Sequence, residues 1–357
     1  MKVGYVPYSN DLSHPADRRR IVTWAKGKNV TLEIKSPLEC DVLVLSNAAN
    51  FEYWIEKAKQ PIILDLVDGY LGEKPMFIRD FLRNCVRTVN KKSRLKWIRY
   101  TKHMEYACKN SAAVIVASIE QKTEVEKFNK NIYVILDDHQ EISDALSFHR
   151  LEADFKSNLN KVNRLFWEGF GYTLKHFKFI SRELDDFLWK YNWQLDLVTP
   201  EFFPKWGGYI GKVKTKEFLS SYFPKSHFLI NVIPWSLENL VKTATPYHLG
   251  IIPIDKNDRF GNLKSENKLL SMWELRIPVI FSNIPSYYRV ANEIGIADMC
   301  VGQNDWSTIL TQIGENSFDL KNHSFKTDLY LKETHSREII QKQWHAAIYE
   351  TFERANA

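Results

Sequence analysis

The sequence has no apolar run approaching the about 18 residues that a membrane-spanning helix needs, and Met1-Lys2-Val3-Gly4-Tyr5-Val6-Pro7 lacks the apolar stretch of a signal peptide. A cytoplasmic protein is expected. Its four cysteines, Cys40, Cys85, Cys108 and Cys300, show no Cys-x-x-Cys spacing, which excludes a zinc knuckle and argues against a disulfide framework. The Gly-x-x-x-x-Gly-Lys-Ser/Thr phosphate loop, the His-Glu-x-x-His zinc motif and the Gly-x-Ser-x-Gly elbow are all missing, and the ten histidines have no metal-ligand spacing. There is no internal repeat and no low-complexity tract, so solenoids and disordered tails drop out.

What is present is a globular composition over 357 residues, with 44% hydrophobic and 26% charged side chains. At about 150 residues per domain, two domains are expected. Lysine and arginine number 49 against 43 aspartates and glutamates, a net charge of +6 that favours phosphate-bearing small molecules or an anionic membrane surface. No nucleic-acid reader motif accompanies the charge, and no nucleic-acid partner is expected.

Short Val/Ile-rich runs alternate with helical-period stretches in both halves, the pattern of buried parallel strands with crossover helices. Strands are predicted near 2–8, 30–35, 41–46, 61–67, 112–118 and 131–137, with helices near 15–27, 50–59, 75–109 and 119–129. The pattern restarts at Arg164 and continues near 193–199, 227–233, 249–254, 278–282 and 298–301. The expectation is an α/β protein of two Rossmann-like, doubly wound domains facing a cleft. Residues 1–150 form the first, 151–333 the second, and 334–357 a helix packing back across the junction; the linker falls within 139–162.

In such sheets ligands bind beyond the carboxyl ends of the strands. Four segments there carry chemistry. Gly169-Phe170-Gly171-Tyr172-Thr173-Leu174 follows the first strand of the second half, and its glycines let backbone N–H groups approach a diphosphate, although Leu174 replaces the third glycine of a dinucleotide fingerprint. A plain strand-to-helix turn fits it equally well. Lys264-Ser265-Glu266-Asn267-Lys268 opens an amphipathic helix, where ammonium charge and helix dipole act on the same anion. In the loop after the first strand, Ser13 suits a helix cap and Pro15 a first turn; Asp11, His14, Asp17 and three arginines, Arg18 to Arg20, make a polar wall with His14 and Asp11 as acid/base candidates. From Arg83 to Lys102 every ionised side chain is basic, as on a solvated face or a helix lying on anionic lipid. Trp235, after a second-half strand, is placed at a ligand.

The segment 230–283 resembles the nucleotide-sugar half of GT-B fold glycosyltransferases of the group-1 (family 4-like) class. The likeness rests on Ile233-Pro234-Trp235-Ser236, Leu249-Gly250-Ile251-Ile252-Pro253, and Lys264-Ser265-x-Asn267-Lys268 leading to Ile277-Pro278-Val279-Ile280. With the Gly169–Gly171 turn and the C-terminal helix it extends over roughly 160–354; the first half shares mainly strand order. The resemblance implies that Lys264, Ser265, Asn267 and Lys268 contact a diphosphate, that Trp235 lies at the base, and that Glu266 and Ser271 adjoin the donor. This chain departs from the family at its paired glutamates: Ser271 stands where the second belongs, Glu266 and Glu274 come one turn late, and Arg276 replaces a glycine.

The implied activity is metal-independent transfer of a hexose-type sugar from a nucleotide diphosphate sugar, a substrate rather than a cofactor, to a saccharide or lipid-linked acceptor in surface glycan synthesis. Retention of configuration is the family expectation; for inversion, His14 or Asp11 leads as base. The rival readings are a nucleotide-sugar epimerase, a phosphorylase, and a non-catalytic glycan- or nucleotide-sugar-binding protein.

Overall fold

The computed structural model describes residues 1–73, 81, 85, 89, 99–149, 163–204, 211–244, 248–315 and 323–357. The chain divides into two compact units. The first comprises Met1–Asp138, Arg259–Asn267 and Thr334–Ala357, and the second His139–Asp258 and Lys268–Glu333.

The first unit is built on six parallel strands, β1 (Val3–Val6), β2 (Leu32–Glu33), β3 (Val42–Ser46), β4 (Ile62–Leu66), β5 (Ala113–Val116) and β6 (Ile132–Val134), in the order β2-β1-β3-β4-β5-β6. β3, β4 and β5 are buried at every position because crossover helices cover both faces, which is why they read as aliphatic runs broken only by Ser46 and Asp65. Helix Tyr100–Asn110 buries Tyr100, His103, Met104, Ala107 and Cys108, the three- and four-residue spacing of a helical stripe. The direction of the connections reverses between β1 and β3, so a ligand crevice is expected outside their carboxyl ends.

The C-terminal helix Arg337–Asn356 is capped by Ser336 and buries Ile340, Trp344, Ala347 and Ile348. It packs on helix Ile21–Gly27, where Gln341 Nε2 donates to the Thr23 carbonyl at 3.3 Å, and Tyr133 donates to Glu350 at 2.7 Å. This helix is therefore part of the first unit.

The second unit carries β7 (Arg164–Glu168), β8 (Gln194–Val198), β11 (Ile230–Ile233), β12 (His248–Ile252), β13 (Val279–Ser282) and β14 (Cys300–Val301), all parallel, in the order β11-β8-β7-β12-β13-β14. In chain order this is third, second, first, fourth, fifth, sixth, the Rossmann arrangement, with its reversal between β7 and β12. An antiparallel hairpin of β9 (Phe202–Pro204) and β10 (Lys212–Lys214), which the sequence pattern does not predict, follows β8. Within the segment read as linker, Gln140–His149 is a helix of this unit, packed on helix Leu237–Thr243 and joined to helix Asn267–Glu274 by a hydrogen bond from Ser143 to Glu274. The first of the three segments that make up the first unit ends at Asp138.

Of the basic stretch, Arg83, Arg87, Lys91, Lys92, Arg94 and Lys96 lie outside the described residues. Among those described, no helix is long and apolar enough to cross a membrane.

Candidate functional site

In the second unit the reversal point is occupied by the turn after β7. Gly169 adopts φ 150°, a conformation that favours glycine, and the ammonium of Lys268 occupies the space that a Cβ there would fill. Lys268 Nζ donates to the Glu168 carbonyl at 2.6 Å and lies 4.2 Å from the Trp167 ring centroid. A cation–π contact and one carbonyl thus hold a positive charge against a glycine turn. Ser271 Oγ donates to the Lys268 carbonyl at 2.9 Å and lies 3.3 Å from Glu168 Oε1. Gly171 presses on Phe203 of β9, with an added Cβ meeting Cδ1 at 2.5 Å.

Around the end of β12, the Asp255 N–H donates to His176 Nδ1 at 3.4 Å, and Asp258 sits 3.0 Å from Lys175 Nζ and 3.9 Å from His176 Nε2. Sequence reading missed this Lys175–His176–Asp258 group, because its members lie 83 residues apart in the case of Lys175 and Asp258 and share no motif. Trp235 follows β11, the edge strand, two strand spacings or about 10 Å from β7.

The boundary between the two units falls within the Lys264–Lys268 run. Lys264, Ser265, Glu266 and Asn267 belong to the first unit, Lys268 and Ser271 to the second. The reason is apolar. Phe260 packs on Tyr70 at 5.9 Å between ring centroids, and Leu263 fits against Gly69, where an added Cβ would lie 2.6 Å from Leu263 Cβ. Gln121 Nε2 donates to the Leu263 carbonyl at 2.9 Å, and Asn267 Oδ1 accepts the Asp137 N–H at 3.0 Å. Lys264 Nζ, carried along, stands 3.9 Å from Asp68 and 5.4 Å from the Phe260 ring. Ser265 and Glu266 are buried. Lys268 and Ser271 lie with the glycine turn in the second unit.

In the first unit the loop after β1 is pinned by Asp17, which accepts from the Tyr5 hydroxyl at 2.5 Å, the Tyr8 N–H at 2.9 Å, and the Ser9 N–H and hydroxyl at 3.0 Å each. His14, not Ser13, caps helix Pro15–Arg18: its Nδ1 accepts the Ala16 N–H at 3.1 Å. The ring stacks on Tyr8 at 4.7 Å and 6°. Burial pulls its pKa below the ordinary histidine value, an effect that Asp17 opposes. With Nδ1 accepting, the neutral ring carries its proton on Nε2, so His14 is built to donate a hydrogen bond rather than to take a proton.

Ser13 instead donates through N–H and hydroxyl to Asp11 at 3.1 and 2.9 Å, and these bonds lower the Asp11 pKa. An exposed carboxylate so held is a weak base. Arg20 leaves the expected polar wall altogether. It is fully buried, donates to Asp65 at 2.6 to 3.1 Å, to Asp137 at 2.9 Å and to the Ile135 carbonyl at 2.9 Å, and lies 5.5 Å from the Trp344 ring. Among the described residues no group of three or more His, Cys, Asp or Glu side chains is placed to hold a metal ion.

No family model matches the chain, and no curated protein matches it in sequence. Solved structures do match in fold. TarM of S. aureus, in complex with fondaparinux, alpha-GlcNAc-glycerol and UDP, superposes with TM-score 0.56 at 11% identity over 86% of this chain and 55% of its own. The chain thus spans about half of TarM. The trehalose 6-phosphate synthase of Burkholderia multivorans matches with TM-score 0.55 at 10% identity over 88% of this chain and 71% of its own. An E. coli trehalose-6-phosphate structure bound with UDP-2-fluoro glucose matches with TM-score 0.54 at 12% identity over 87% and 73%. The chain has the GT-B fold of these enzymes.

Proposed function

We propose that the chain is a glycosyltransferase whose second unit holds a nucleoside diphosphate sugar. The observation that carries this reading is the Lys268 ammonium set against the Gly169 turn at the reversal point of a Rossmann sheet. Two of the fold neighbours contain UDP or a UDP sugar, which supports a nucleotide donor here. Breaking the bond between sugar and diphosphate builds positive charge on the sugar and negative charge on the leaving group. Lys268 and the N-terminus of helix Asn267–Glu274 are positioned, within this reading, to offset the second.

The first unit takes the saccharide or lipid-linked acceptor, with the His14 Nε2–H donating to a sugar hydroxyl. A hexose-type donor, retention of configuration, independence of metal, a role in surface glycan synthesis and contact of the Arg83–Lys102 stretch with anionic lipid complete the proposal. The test is thermal shift with UDP-, GDP-, CDP- and ADP-glucose. Ligand at a hundred times its Kd stabilises by about 2.7 kcal/mol, enough to move the melting transition by several degrees. No shift with any of the four overturns the proposal.

A further inference from the structure

The turn after β7 leaves two aromatic rings in solvent. Phe170 is 45% and Tyr172 52% exposed, and the rings lie parallel to within 10° with centroids 5.8 Å apart. Their backbone is rigidly held. The Thr173 N–H and hydroxyl both donate to the Phe170 carbonyl, at 2.9 and 2.7 Å, Gly171 presses on Phe203, and Leu174 and Phe177 are buried beneath. Gly171–Ile180 is a 3-10 helix, in which residues three apart eclipse, so Tyr172, Lys175 and Lys178 form one exposed stripe. Lys175 in that stripe is paired with Asp258.

A pyranose ring has an apolar C–H face and a rim of hydroxyls. The outward face of an exposed, offset-stacked ring pair matches the first, and an ammonium–carboxylate pair one 3-10 turn away matches the second. A nucleobase, apolar on both faces, suits a slot better than an open platform. We propose that Phe170 and Tyr172 are a stacking platform for one ring of a saccharide chain, with the Lys175–Asp258 pair binding its hydroxyls. The identity of the ligand as a saccharide rests on the transferase reading above; the platform geometry does not.

The test is saturation-transfer NMR on the full chain with maltotriose, cellotriose and chitotriose as probes. Wild-type protein is expected to saturate ring C–H protons of at least one probe. Phe170→Ala with Tyr172→Ala should weaken that binding at least tenfold, whereas Phe170→Tyr with Tyr172→Phe, which keeps both rings, should stay within threefold. The thermal shift with UDP-glucose, measured on the same proteins, separates the two readings. Ring-dependent saccharide binding without any nucleotide shift upholds the platform and overturns the transferase. Absence of signal from all three probes, equal binding by the alanine variant, or loss of the UDP-glucose shift with saccharide binding intact overturns the platform.

Discussion

Replacing Lys268 by alanine tests the donor site most directly, because its contacts within the protein set the cost to be expected from folding alone. Its ammonium donates a 2.6 Å hydrogen bond to the Glu168 carbonyl and covers the Trp167 ring. The side chain is only part-buried, and a half-solvated cation–π contact is worth about 0.5–1 kcal/mol. Adding a net hydrogen bond of about 1 kcal/mol, the ligand-free protein should lose about 1–2 kcal/mol. At 2–4 °C per kcal/mol for a unit of this size, the melting transition falls by roughly 2–8 °C.

With a diphosphate bound, the lost ammonium also removes a charge-assisted bond worth about 1.5–3 kcal/mol, so Kd for the nucleotide sugar should rise about ten- to a hundredfold. Calorimetry on wild type, Lys268→Ala and Lys268→Arg measures this, with the arginine variant expected to recover part of the affinity. Unchanged Kd in Lys268→Ala, alongside the expected fall in ligand-free stability, would refute the placement of the diphosphate at this turn.

Arg20→Met strands two carboxylates, Asp65 wholly buried, and should cost about 3–5 kcal/mol by urea denaturation, whereas Arg20→Met with Asp65→Leu should cost clearly less than the sum of the two single variants; simple additivity would count against a coupled pair. His14→Ala removes a helix cap, about 1 kcal/mol, and His14→Asn should restore it. Because burial lowers the folded pKa of His14 below its unfolded value, the unfolded state binds more protons below about pH 6.5, and this contribution to stability, complete above that pH, fades as pH falls through the folded value. Denaturation from pH 7.5 to 5 should show a shallower acid loss in His14→Asn than in wild type. Gly69→Val forces a side chain onto Leu263 and Phe260 and should destabilise the first unit by more than 1 kcal/mol, read from the urea midpoint.

The strands were legible because a parallel sheet covered on both faces must be written largely in apolar residues, as β3, β4, β5 and β13 are. The helix starts expected near 50 and 119 fall where Asn50 and Ser118 cap them. The glycine turn after β7 could be found from spacing alone, since nothing but glycine suits its backbone. Tertiary packing decided the rest. Whether Arg20 faces water or the core depends on Asp65 and Asp137, 45 and 117 residues away, and a run of three arginines says nothing about which one turns inward. His14 displaced Ser13 as cap because Asp11 captures Ser13 and the Tyr8 ring fixes the imidazole. Above all, the boundary between the two units falls between Asn267 and Lys268, within one short polar run that does not announce it. Two hydrophobic side chains, Phe260 and Leu263, commit the segment before Lys268 to the first unit, because packing them against Tyr70 and Gly69 takes apolar surface out of water.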